Sequence, residues 1–175
     1  MAISISIFPH LKNITFGKAF LLAGLLAGTL DIVSAILLHT VLSGAFRPVG
    51  LLQGIASGAF GKSAMEGGAP MAIAGLFFHY IIAYSWVLIY FILFPRISLM
   101  RKHRILSGLF YGVLIWVIMN RVVVPLSEIK PGPFRWDRAL MNLVILMVMV
   151  GLPASLFSHW YYTRASLRAD KVKKI

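Results

Sequence analysis

The sequence predicts an all-α fold: a polytopic membrane protein with four transmembrane helices and one further helix at the outer surface. Three observations predict it. Hydrophobic residues make up 59% of the 175 residues and charged residues only 13%, against about 25% charged in an ordinary soluble domain. Mean hydropathy is +0.87. Four predominantly apolar runs reach the roughly 20 residues that a helix needs to cross a bilayer core of about 30 Å. These figures exclude a disordered chain, a collagen-like repeat and a soluble enzyme of usual composition. There is room for one domain, the whole chain 1–175.

The first run, 19–46, lies between Lys18 and Arg47 and is broken only by Asp31 and His39. It continues well past any cleavage point a signal peptide would have, so it reads as a retained first span. The second run, 70–94, ends at Pro95 and Arg96. The third, 105–126, is interrupted by Asn120 and Arg121. The fourth, 139–163, lies between Arg138 and Arg164. Pro153 should kink it, because proline removes a backbone donor and crowds the preceding turn. Between the first two spans, Leu51, Leu52, Ile55 and Ala59 follow helical spacing, beside a ridge of Gly54, Gly58 and Gly61. This predicts a short helix lying on, or dipping into, the outer side of the bundle.

Lys plus Arg is 17 against 5 Asp plus Glu, a net charge of +12. The basic residues sit between apolar runs, so topology explains them before nucleic acid does, and no nucleic-acid partner is expected. One side collects 11 of them: Lys12, Lys18, Arg96, Arg101, Lys102, Arg104, Arg164, Arg168, Lys171, Lys173 and Lys174. The other holds 5: Arg47, Lys62, Lys130, Arg135 and Arg138. The positive-inside rule then places both termini in the cytoplasm. Trp136 and the run Trp160, Tyr161, Tyr162 fall at opposite interfaces. The tail after Arg164 reads as a frayed basic helix end near anionic lipid.

Ionisable groups inside a span are expensive and are functional candidates by default. Asp31 lies about 18 Å from the inner edge, His79 about 16 Å, and Asn120 and Arg121 about 21–23 Å, at 1.5 Å per residue. These four share a depth on three helices. Helical spacing sets Asp31 on a stripe with Gly24, Ala27, Gly28, Ser34 and Ala35. His79 shares one with Ala72, Gly75, Ala83 and Trp86, and Asn120 with Gly108, Gly112 and Trp116. Small residues at that spacing mark helix contacts and make a homo-oligomer plausible. Arg121 is turned about 100° from Asn120. One reading is a working centre for a ligand or proton, in which Arg121 holds Asp31 ionised and His79 titrates. The other is helix glue, in which the same residues only lock packing; Arg121 alone could instead snorkel to the outer edge.

Other motifs fall away. Residues 56–63 nearly fit a phosphate loop, but no strand precedes them and no acidic residue waits for Mg²⁺. The chain has no cysteine, which removes disulfides, thiolate metal sites and a Cys nucleophile. There is no His-Glu-x-x-His helix and no second carboxylate at the depth of Asp31, so no metal and no catalytic pair is assigned. No cofactor is expected; haem on His79 is the weaker alternative. An enzyme is less expected than a transporter, channel or accessory protein.

Several segments resemble one family. These are Leu52 to Gly61, Glu66 to Gly68, Gly75 to Ala83 through His79, Phe94 to Ile97, and Tyr111-Gly112 through Met119-Asn120 to Pro125 and Ser127. Together they are similar to uncharacterised bacterial inner-membrane proteins of the YagU-like type, over about 24–164. The resemblance implies a bacterial inner-membrane location and an association with acid tolerance. It implies no catalytic residues.

Overall fold

A computed structural model of the chain describes residues 15–129 and 135–172. Lys12, Lys130, Lys173 and Lys174, which enter the charge count, lie outside them. Helix α1 spans Phe16–Ser43, α2 Pro48–Phe60 and α3 Gly68–Leu93. A short α4, Ser98–Lys102, precedes α5, Arg104–Leu126. Helix α6 runs over 136–172. Among the described residues there is no strand. Helices α1, α3, α5 and α6 are each long and apolar enough to cross a membrane, and the all-α, four-span bundle is what the sequence predicts. The basic tail remains helical to Val172 rather than ending near Arg164.

The helix ends follow local chemistry. Thr15 caps α1, its Oγ1 accepting from the Lys18 N–H at 3.4 Å. Gly44 closes it in the left-handed region at φ 67°. Pro48 opens α2, where its missing N–H costs nothing. The near phosphate-loop motif is helical: α2 runs through Phe60, and a 3₁₀ turn, Gly61–Met65, follows. Gly61 holds φ 62°, ψ −151°, a conformation open only to glycine.

The four spans alternate in direction. On the α1–α3 seam the Tyr84 hydroxyl donates to the Leu21 carbonyl and Tyr80 bonds Thr29, so α3 descends as α1 rises. On α3–α5, Tyr111 donates to the Trp86 carbonyl at 2.7 Å and Tyr90 bonds Ser107 at 2.8 Å. On α5–α6, Gly108 meets Gly151 and Gly112 meets Met147. One end of the bundle therefore collects Lys18, Arg96, Arg101, Lys102, Arg104 and Arg164 and is called the basic end below. Arg164 lies 4.7 Å over the Trp160 ring there, and Trp136 stands exposed at the opposite end.

Between lipid-soluble surfaces the hydrophobic effect does not drive helices together, so close packing and hydrogen bonds must. The buried stripe of α1 is Ala19, Ala23, Gly24, Ala27, Gly28 and Ile32. A methyl added at Gly24 or Gly28 would strike the Tyr84 or Tyr80 ring, and one at Gly151 would strike the Gly108 carbonyl. The small-residue faces that suggested a homo-oligomer are thus already covered within one chain. Leu25, Leu37, Val41, Phe77 and Phe110 point outward and stay exposed, as lipid-facing residues do. The dense core lies toward the basic end, built from Val87, Tyr90, Phe91, Phe94, Tyr111 and Ile115.

Two helices widen before a proline. In α5 a π turn, Met119–Val123, precedes Pro125; in α6 another, Leu146–Gly151, precedes Pro153. Each proline leaves a carbonyl one turn back without its donor and crowds that turn, and a wider turn accommodates both. The kink expected at Pro153 takes this form.

Candidate functional site

The packing leaves a chamber of about 330 Å³ at mid-depth, between α1, α3, α5 and α6, with Ile55 of α2 on its wall. Asp31, His79 and Asn120 all line it, so three of the four residues expected to meet do meet. Both π turns contribute, through Met119 and Asn120 on one side and Leu146 and Val150 on the other. A proline one turn away thus shapes the wall where the polar residues stand.

Asp31 follows Gly28 by three residues, which turns it toward the α3 seam. It is half-buried and makes no hydrogen bond or ion pair among the described residues. A carboxylate so placed calls for a proton, a cation or water beside it.

His79 is buried, and its Nε2 lies 2.9 Å from the Gly28 carbonyl oxygen. A carbonyl only accepts, so Nε2 carries the hydrogen and donates it. Nδ1 is then the ring nitrogen without a hydrogen, an acceptor. The one buried side-chain polar atom lacking a partner among the described residues is Ser158 Oγ. Nδ1 makes no hydrogen bond among the described residues, and His79 lines the chamber.

Asn120 Nδ2 donates to the Trp116 carbonyl at 2.8 Å. This assigns the amide: one N–H is engaged by its own helix, and the second N–H and Oδ1 remain as a donor and an acceptor.

Arg121 is not part of this arrangement. It is exposed, lies outside the chamber and forms no ion pair among the described residues; the pair present is Arg135–Asp137, at 2.8 Å. The expected Asp31–Arg121 bridge is therefore absent. The 100° turn from Asn120 carries Arg121 off the inward face, and the π turn does not restore it.

The structure adds residues that the sequence reading passed over. Asn142 of α6 lines the chamber, as do Trp86 and Trp116. Asn142 was legible as the one amide inside the fourth apolar run. A second hollow of about 220 Å³ shares Ala35 and Asn142 with the chamber and extends to His39, Ser43 and Arg138. Toward the basic end, by contrast, lie the fully buried Val87, Tyr90 and Phe91. The hollow that adjoins the polar chamber thus lies away from the basic end.

Among the described residues no three His, Cys, Asp or Glu side chains gather, and Nε2 of His79 is already engaged by Gly28. Compared with family models, curated proteins and solved structures, the chain matches none.

Proposed function

We propose that this membrane protein is a proton-responsive transporter or channel of the bacterial inner membrane, with both termini cytoplasmic. One observation carries the reading: an acid without a hydrogen bond or ion pair among the described residues and an imidazole line the same mid-depth chamber. Intramembrane acids and imidazoles that face an open space are the usual elements of proton relays. The hollow at His39 and Arg138 gives that chamber a polar approach from one side. Charge asymmetry supports the orientation. The likeness to YagU-type proteins supports the inner membrane and a link to acid.

A second reading is a non-catalytic accessory protein whose polar residues lock the helices. His79 donating to Gly28 and Asn120 donating to Trp116 favour it, since both bonds are structural. Asp31 separates the two readings, because it locks nothing.

Reconstitution decides. Purified protein in liposomes carrying a pH-sensitive dye should show a proton-dependent flux that Asp31→Asn reduces about tenfold or more, as loss of a relay carboxylate would. Flux equal to that of empty liposomes, or unchanged in Asp31→Asn and in His79→Ala, contradicts the transport reading and leaves the accessory one.

A further inference from the structure

We propose that the chamber binds a small organic monocation, an ammonium group carrying a short apolar chain, with Asp31 as its counter-charge. This rests on the same chamber as the proton reading and names what else it takes. Asp31 and His79 are the titratable residues on its wall, and no lysine or arginine lines it. The polar groups there are the Asp31 carboxylate, the His79 ring, the amides of Asn120 and Asn142 and the indole N–H groups of Trp86 and Trp116, so the carboxylate is the one negative charge on the wall. A wall with one carboxylate and no facing cation selects a cationic ligand. Two indoles, Trp86 and Trp116, share the wall, and indole faces attract ammonium groups. The remainder is aliphatic, including Ile32, Ile55 and Ile115. A bare divalent ion would need about six oxygen ligands, which this wall lacks. The volume, about 330 Å³, lies at the small end of ligand pockets, roughly 300–1,000 Å³. The nearest cation in the adjoining hollow, Arg138, is exposed and makes no bridge to Asp31.

The ammonium could arrive from water or as the headgroup of an aminophospholipid. Equilibrium dialysis of radiolabelled n-butylammonium against full-length protein in phosphatidylglycerol nanodiscs tests the proposal and its source. The expected result is saturable binding at one site per chain, not displaced by neutral n-pentanol. Asp31→Asn should weaken it about tenfold or more, and Trp116→Leu about three- to thirtyfold. Nanodiscs containing phosphatidylethanolamine displace the probe if the headgroup is the natural occupant; undiminished binding there points to a soluble amine. Absence of saturable binding, equal displacement by pentanol, or wild-type affinity in Asp31→Asn overturns the proposal. Should Asp31→Asn not yield a monodisperse protein, wild-type affinity in Trp116→Leu overturns it instead. Proton flux in amine-free liposomes separates the two ideas. Asp31-dependent flux without amine binding refutes only this inference; amine binding without flux refutes only the proton reading.

Discussion

His79 illustrates how one side chain serves both packing and chemistry. Its Nε2–H ties α3 to the Gly28 carbonyl of α1, which as a helical carbonyl already accepts from its own helix. The bond is therefore a supplement to an intact ladder, worth about 1 kcal/mol. His79→Gln keeps a donor of similar reach but removes the imidazole. It should unfold within about 1 kcal/mol of the wild type while losing the pH dependence of flux. A variant that keeps a wild-type pH profile removes His79 from the proton path. Asp31, His79 and Asn120 were legible in the sequence because ionisable or amide groups stand out against apolar runs, and because i, i+3, i+4 spacing fixes which face they share. Arg121 was left between pairing with Asp31 and snorkelling outward, and its exposure outside the chamber excludes the pairing. Depth put it beside Asp31, but its angle around the helix put it outside, and angle decided.

At the scale of the helix, the tightest approaches are backbone to backbone. A methyl at Gly151 meets the Gly108 carbonyl and the Gly112 nitrogen, and one at Gly75 meets the Leu52 carbonyl. Neither neighbour can rotate away, so the helices must part. Gly151→Ala should cost about 1–3 kcal/mol, the usual penalty of overpacking, measured by thermal unfolding in detergent. Gly17→Ala, where nothing lies within 4 Å, should be neutral or gain up to about 1 kcal/mol from helix propensity. Equal effects at the two positions would contradict the α5–α6 packing. The sequence announced Gly108 and Gly112 through their spacing, whereas Gly151 stands alone in its helix and acquires meaning only from its partner. The π turns were likewise illegible. Pro153 and Pro125 announce a disturbed turn, but whether it kinks, frays or widens depends on the neighbours that pack against it.

The whole molecule is an asymmetric bundle: a dense aromatic plug toward the basic end and a polar chamber reaching toward the other. Composition and run length made the four spans legible, since a bilayer leaves few other uses for such runs. The chamber was not legible, because a cavity is what remains after side chains from five helices have met. Its walls draw on Ile55 and Asn142, which belong to none of the polar stripes. The absence of native cysteine makes accessibility directly measurable. In membrane vesicles, Ala35→Cys lines the chamber and its adjoining hollow, and Leu25→Cys faces outward on the same helix. The account predicts that a membrane-impermeant thiol reagent, applied from the side opposite the basic end, modifies Ala35→Cys and spares Leu25→Cys. An Ala35→Cys protein that stays unmodified in the membrane, yet reacts fully once denatured, would contradict it.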